Sequence, residues 1–566
     1  MIYADGSFPT LDTAELTLLE PFGKRKHVEA GDYLYRAGDV AYDFFVVLSG
    51  QVEILLDAEG EDRLITTHGP GRFLGELNLL TGQRVFLSSR VAESGDMLAV
   101  PVKTFRKIIA TQPQLSDKLL TAFMGRRTGL ITDAATATRV IGSRHSPETL
   151  RIREFLDRTR LPYQWLDPEI DPQVESLFEQ FQVEVTDLPV VISSGEVLRR
   201  TSPGAVSEYL GLTLANVQER CVDLVIVGGG PAGLAAAVYG ASEGLRTICV
   251  DSVAAGGQAG TSSRIENYFG FPTGISGSDL TKRGLVQAEK FGARLSAPCS
   301  VVTLREQAGR LVTELSDGTE LVAGAVIAAS GARYRRIGVD RLSEFESNGV
   351  YYAATDLEAR QCSGGPVIVV GGGNSAGQAA VFLAEQGSQV TVAIRGQSLK
   401  TGMSRYLVDR LDGYPQIEVL TQTQVVGLEG EKSLRAVRLA GPGRERSVPV
   451  AGLFSFIGAE PTSGWLSGCA VLDDRGFALT DRSLLESQLD GRWSALGRGP
   501  LAFETSQPGL FAVGDLRSGS TKRVAAAVGE GSAAVRSVHE SLQFVATDDS
   551  PVRRPDVRVM EESHAW

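Results

Sequence analysis

Residues 221–251 read CVDLVIVGGGPAGLAAAVYGASEGLRTICVD. The run from Val222 to Val227 is almost wholly apolar, the pattern of a strand buried on both faces. Glycines follow at 228, 230 and 233, then a small-residue stretch of helical length, then a short apolar run ending on Asp251. Strand, glycine turn, helix and strand in that order form a dinucleotide-binding unit. Gly228, Gly230 and Gly233 permit the tight turn and the close approach of a diphosphate. The helix N-terminus faces the anion, and Asp251 takes ribose hydroxyls.

The turn recurs in VIVVGGGNSAGQAAVFLAEQG, residues 367–387, with Gly371, Gly373 and Ala376 at the three positions and Asn374 and Ser375 opening the helix. This copy ends VTVAIRG, so Arg395 stands near the end of the strand where the first copy has Asp251. An acid there repels a 2′-phosphate and an arginine pairs with it, which favours NADPH over NADH. Lys400 and Arg405 are either helpers of that arginine or solvated surface charges.

A chain of 566 residues is too long for one hydrophobic core, and three or four domains are expected. Its 64 glycines point to many tight turns and phosphate loops. A net charge of −12 argues against a nucleic-acid partner. The apolar runs are all too short for a membrane span. The start MIYADGSFPTLDTAEL lacks the pattern of a signal peptide, and a cytoplasmic location is expected. The cysteines, Cys221, Cys249, Cys299, Cys362 and Cys469, have neither dithiol nor metal-ligand spacing, and no metal is expected.

Residues 1–130 alternate short apolar strands with glycine turns before a helical pattern, which reads as a small β-barrel or jelly roll with helices. On the segment RFLGELNLLTGQR, residues 72–84, this block resembles the cyclic-nucleotide-binding domain family. The resemblance implies that Gly75 and Leu77 flank the ligand loop and that Glu76 accepts from a ribose 2′-hydroxyl. The family's phosphate-binding arginine is displaced here: Val85 or Phe86 stands in register, and Arg84 lies just before them. A cyclic nucleotide, another effector and a purely structural barrel all remain open. An effector would act by favouring one domain arrangement, and removal of residues 1–135 is expected to spare cofactor binding at the first glycine turn while changing turnover.

Residues 136–215 read strand, helix, strand, then a hairpin and a last helix. This block resembles the thioredoxin and glutaredoxin fold. Where that family keeps its dithiol the chain has Ser146-Pro147-Glu148-Thr149, and Pro189 stands at the family's cis-proline. Thiol exchange needs a thiolate, so this domain is expected to be redox-silent.

Two further segments extend the glycine turns into a close resemblance to thioredoxin reductases, flavoenzymes using FAD and NADPH. GGQAGTSSRIENYFGFPTGISGSDL, residues 256–280, looks like their flavin cradle, with Gly257, Gln258 and Asn267 in it. GLFAVGDLRSGSTKRVAAAVGEGSAA, residues 509–534, looks like their C-terminal motif. There the resemblance gives Gly514 and Asp515 to the ribityl chain and Arg523, Val524 and Ala525 to a helix start aimed at the flavin. FSFIGAEP, residues 454–461, resembles the hinge between domains. The implied fold is multidomain. After the barrel and the thioredoxin-like domain come an FAD domain in two parts, 219–336 and 459–545, an NADPH domain over 337–458, and a tail from 546. The family is usually dimeric, and a homodimer is expected.

Those reductases carry a Cys-x-x-Cys in the loop before the second turn. The loop here is GVYYAATD, residues 349–356, which puts Ala353 and Asp356 at the dithiol positions. Electrons from NADPH would therefore leave the flavin for another acceptor: a small molecule, an external disulfide, oxygen or a ferredoxin-like protein. Dithiol-free ferredoxin–NADP reductases share this fold and often cover the flavin with a C-terminal aromatic, for which His564 and Trp566 are candidates. Two alternatives stand beside an NADPH oxidoreductase with an unidentified acceptor. One is disulfide reduction through Cys362, and the other is a non-enzymatic flavin and NADPH sensor.

Overall fold

The computed structural model describes residues 6–39, 42–58, 61–132, 138–159, 161–193, 195–214, 220–262, 264–346, 348–431 and 433–544. The tail with His564 and Trp566 lies outside the described residues.

The first unit is two four-stranded antiparallel sheets packed face to face. One runs Lys24–Val28, Gly95–Val100, Phe44–Val47, Phe73–Leu74, and the other Tyr33–Tyr35, Ser88–Glu93, Gln51–Ala58, Glu61–His68. Helices Val102–Thr111 and Pro113–Thr132 follow and close one side. Phe105 from the first of them stacks on Phe44 with ring centroids 4.5 Å apart. Phe123 from the second meets Phe73 edge-on. Burying each such ring contributes about 1.5–3 kcal/mol, which fixes both helices to the barrel.

The middle unit has the strand order Gln164–Leu166, Thr138–Ile141, Val190–Ser193, Glu196–Leu198, the first pair parallel and the others antiparallel. Helix Pro147–Arg158 links the two parallel strands, and the Ser146 side chain caps it by accepting from Thr149 N–H at 3.3 Å. The Leu188–Pro189 peptide is cis.

The first glycine turn belongs to a seven-stranded sheet ordered Arg294–Ser296, Thr247–Val250, Cys221–Val227, Glu320–Ala328, Arg310–Leu315, Val301–Gln307, with Leu510–Ala512 beside Glu320–Ala328. Cys221–Val227 is parallel to both neighbours and buried at its C-terminal end, as its apolar run requires. The chain leaves this domain through Ala332–Tyr334 and returns through Ala459–Pro461, and the two crossings pair antiparallel. Between them lies a parallel sheet, Val350–Tyr351, Gly452–Ser455, Val367–Val370, Val390–Ala393, Ile417–Leu420, which carries the second turn. A three-stranded antiparallel sheet over 424–449 packs beside it.

The N-terminal units are packed onto the first nucleotide domain. Val286, on the helix Gly277–Lys290 of that domain, is buried in the barrel's core cluster. Ala254 is buried in the core of the middle unit. Among the described residues no helix is long and apolar enough to cross a membrane.

Candidate functional site

Each glycine turn is a place where backbone has displaced side chains. Gly228 has φ +110°, and a Cβ there would stand 2.3 Å from the Ala329 carbonyl oxygen. A Cβ on Gly233 would stand 1.8 Å from the Gly228 oxygen, so the helix Pro231–Ser242 lies directly on the turn. Gly230 is the helix N-cap, and no side chain caps it. The first-turn N–H groups of such a helix carry partial positive charge and seek an anion. The second turn repeats this design. Gly371 has φ +141° with a Cβ position 2.3 Å from the Phe456 oxygen, and Gly373 is again an N-cap without a side-chain cap.

Asp251 sits at the end of its strand as expected, but its carboxylate is used inside the protein. Oδ2 accepts from Gly229 N–H at 2.7 Å, and Oδ1 accepts from Val253 and Ala254 N–H at 2.9 and 3.0 Å. Burial pushes its pKa up, and these three donors pull the other way. Asp251 therefore first organises the loop that follows, whatever ribose contact it also makes. Gly257 belongs to that loop, where a Cβ would stand 3.0 Å from Gly230 Cα. Gln258 donates through Nε2 to the Ala332 carbonyl at the domain crossing. Asn267 is exposed on the next loop. Its neighbour Glu266 takes Arg410 of the second nucleotide domain at 2.8 Å, an ion pair across the two domains.

The C-terminal motif converges on the same turn. A Cβ on Gly514 would stand 3.0 Å from Ala232 Cβ, and a Cβ on Gly531 would stand 2.0 Å from the Ala232 oxygen. This presses the helix Val524–Leu542 onto the turn's own helix. Arg523 is its N-cap and supplies no capping side chain, so the N–H groups of Val524 and Ala525 face outward from the helix end. Among the described residues no donor bonds the Asp515 carboxylate. Burial raises its pKa, with the nearby Lys522 ammonium opposing. A half-buried carboxylate beside an uncapped helix and a side-chain-free turn fits the hydroxyls and diphosphate of a flavin dinucleotide.

In the second site Arg395 is exposed just beyond Val390–Ala393, and among the described residues no acid pairs with it. Asn374 ties the turn to the next segment: Ser404 N–H donates to its Oδ1 at 2.7 Å, and its Nδ2 donates to Ser404 Oγ at 2.9 Å. That tie holds Arg405, whose side chain is 94% exposed, on the same rim as the turn. Ser375 is exposed in the first helical turn and Ala376 is fully buried beneath it.

Residues 222–531, more than half of the chain, match the family described as pyridine nucleotide-disulphide oxidoreductase. The chain belongs to that family. It is an FAD-dependent pyridine nucleotide oxidoreductase with FAD and NADPH as cofactors. The thioredoxin reductase of Mycoplasmopsis pulmonis is 31% identical over 320 residues, covering 56% of this chain and 96% of the relative. That of Treponema pallidum is 32% identical over 333 residues, covering 57% and 97%. The crystal structure of T. acidophilum thioredoxin reductase superposes with a TM-score of 0.51 at 29% identity, covering 56% of this chain and 98% of that one. Residues 25–112 match the cyclic nucleotide-binding domain.

In the oxidoreductase's loop at 351–356 Ala353 is half-buried and Asp356 exposed, and no thiol is present. All five cysteines are free. Cys362 is buried in the core of the second nucleotide domain beneath Tyr351, and burial pushes its thiol up to about 12. Cys249 is buried in the core of the first domain and pushed up as well.

The barrel holds a cavity of about 40 Å³ lined chiefly by Tyr35, Tyr42, His68, Glu76, Phe86 and Arg126. Gly75 and Glu76 reach it; Leu77 is buried in the neighbouring core cluster and does not line it. Arg84 corrects the expectation. Its guanidinium turns away from the cavity, donating to Gly38 O at 2.9 Å and Tyr209 O at 2.5 Å, and it lies over the Tyr209 ring. Sequence reasoning missed Arg127, whose Nη2 donates to Glu76 Oε2 at 2.8 Å and whose Nη1 donates to Gln83 Oε1 at 3.2 Å. Glu76 is already neutralised by a buried arginine 51 residues away in sequence.

Proposed function

We propose that this enzyme oxidises NADPH and delivers the electrons to an acceptor that is not a dithiol of its own. The observation that carries the reading is the thiol-free loop over 351–356, with the nearest cysteine, Cys362, buried and held protonated. The turn at Gly228, Gly230 and Gly233 and the uncapped starts of Pro231–Ser242 and Val524–Leu542 would hold FAD, with Asp515 accepting from its hydroxyls. Gly371, Gly373 and Asn374 would hold the NADPH diphosphate, and Arg395 would read the 2′-phosphate. When bound, flavin and nicotinamide supply the hydride chemistry themselves. The protein's part is to bind, orient and bring the two domains together, and the Glu266–Arg410 pair holds the arrangement seen here.

The middle unit reads as a thioredoxin-like fold without thiol chemistry, supported by its strand order and by Ser146 and Thr149 at the helix start. The barrel reads as an effector domain, supported by its match to the cyclic nucleotide-binding domain. A cavity of about 40 Å³ holds a few waters, so a cyclic nucleotide would have to widen it and share Glu76 with Arg127.

Anaerobic titration with NADPH should bleach the flavin. A panel of quinone, ferredoxin, external disulfide and oxygen should then identify the acceptor by sustained turnover. Replacement of all five cysteines by serine should leave that turnover in place. Its loss in a folded Cys362→Ser protein would refute the proposal and restore a single-thiol route.

A further inference from the structure

The loop from Asp251 to Gly257 has two faces. The inner face lies on the first glycine turn: Gly256 N–H donates to Gly229 O at 2.7 Å, and Asp251 receives Gly229 N–H. Val253 and Ala254 stand on the outer face, and Ala254 is fully buried. They pack in a cluster whose other members come from the N-terminal units, among them Phe155 and Leu210 of the middle unit and Phe86 of the barrel. Close by, Ser207 Oγ of the middle unit donates to the Ala297 carbonyl. The strand end that carries Ala297 bonds back to Asp251, whose N–H donates to Ser296 O at 3.0 Å and whose carbonyl accepts from Cys299 N–H at 2.7 Å.

The sequence of this loop explains why an outside anchor matters. Residues 253–257 are Val-Ala-Ala-Gly-Gly, and such a stretch has large conformational freedom with almost no side chain to restrain it. Gly257 must stay bare because Gly230 of the turn approaches so closely, and Gly256 because its φ is +115° and Thr281 Oγ1 would stand 2.9 Å from a Cβ, so order has to be supplied from the far side. Phe86 and Phe155, 8% and 1% exposed, are the buried rings of that cluster, with Tyr163, Trp165 and Tyr209 partly buried around it. Phe86 also lines the barrel cavity, with the Arg127 guanidinium 5.1 Å from its ring.

We infer that the two N-terminal units are part of the flavin site, with Phe86 and Phe155 as positioning residues that hold the Asp251–Gly257 loop against the glycine turn. The inference rests on the proposed placement of FAD at that turn. It reverses the expectation that the barrel is dispensable for FAD binding. By linkage, whatever moves Phe86 from the cavity side changes FAD affinity, and FAD changes the affinity of whatever binds the cavity.

The test measures FAD dissociation from the full-length protein by recovery of free-flavin fluorescence, without any turnover assay. Phe86→Ala and Phe155→Ala should each raise the FAD Kd at least tenfold, and Phe86→Leu and Phe155→Leu serve if the alanine variants do not fold. Val52→Ala, fully buried in the barrel's own core, should leave the Kd within twofold while lowering Tm. Gly230→Val tests the placement of the site and should abolish FAD binding. Retention of FAD by Gly230→Val overturns the placement. Loss of FAD there, with unchanged Kd in the folded Phe86 and Phe155 variants, overturns this inference alone. An equal rise in Val52→Ala would overturn it too, since general destabilisation would then account for the effect.

Discussion

Gly233→Ala adds one methyl group, and the first nucleotide site has no room for it. Its carbon would stand 1.8 Å from Gly228 O, 3.0 Å from Gly228 C and 3.2 Å from Ile226 Cγ2. The first two are backbone atoms that cannot rotate away, so the helix Pro231–Ser242 must lift from the turn by roughly 1 Å, which stretches an N–H···O bond of about 2.9 Å beyond hydrogen-bonding distance. Two helix-start N–H groups meeting a diphosphate contribute about 1.5–3 kcal/mol each. Their loss costs about 3–6 kcal/mol, or on the order of a hundred- to ten-thousandfold in FAD affinity. The second turn supplies the control, because it carries Ala376 at the equivalent position, and a Cβ on Gly372 would meet only Ile394 Cγ2 at 3.6 Å. Gly233→Ala protein should emerge colourless, with a flavin absorbance ratio far below that of Gly372→Ala. A folded Gly233→Ala protein that binds FAD within threefold of wild type would show that the helix start does not hold the diphosphate.

Arg395→Ala should raise the KM for NADPH about ten- to a hundredfold, from about 1.5–3 kcal/mol of charge-assisted bonding, and leave the weaker NADH reaction unchanged; equal use of both nucleotides by the wild type would refute the assignment. Cys362→Ser should alter neither flavin reduction by NADPH nor the modification of surface thiols by an alkylating reagent, which should label Cys221, the exposed one. Glu289 should make stability pH-dependent. Burial pushes its carboxyl up to about 8, against opposition from Arg106 and Arg127, and its Oε2 is buried without a hydrogen-bond partner. A carboxyl raised in the folded state contributes stability that is full below its unfolded pKa and lost as pH rises toward 8. Thermal unfolding of Glu289→Gln from pH 5 to 9 should therefore give a flatter profile than wild type, and parallel profiles would count against the buried carboxylate.

The two glycine turns were legible because they are local: a few residues within one strand–helix pair meet a steric demand that only glycine satisfies. The place of Arg395 was legible for the same reason, two residues beyond a strand whose register the turn sets. The partners of Glu76 were not. Arg127 reaches it from the far end of a long helix, and no periodicity in either segment announces a contact between them. Arg84 shows the converse failure. Proximity in sequence to a ligand loop suggested a phosphate contact, yet docking of the middle unit gave its guanidinium the Tyr209 carbonyl. The packing of Ala254 into the middle unit was equally hidden, since the small side chains of 253–257 read only as a flexible loop.

The absence of a dithiol from the loop over 351–356 has a toxicological side. Trivalent arsenic and gold compounds disable dithiol enzymes by bridging two neighbouring sulfurs, and the grip is lost when only one is offered. Here Cys249 and Cys362 are buried in separate domain cores and Cys221 is exposed, while Cys299 and Cys469 share one core cluster, the first buried and the second half-buried. On the dithiol-free route proposed above, the enzyme would keep drawing electrons from NADPH under metalloid poisoning or disulfide stress, when reductases that depend on a paired thiol stop.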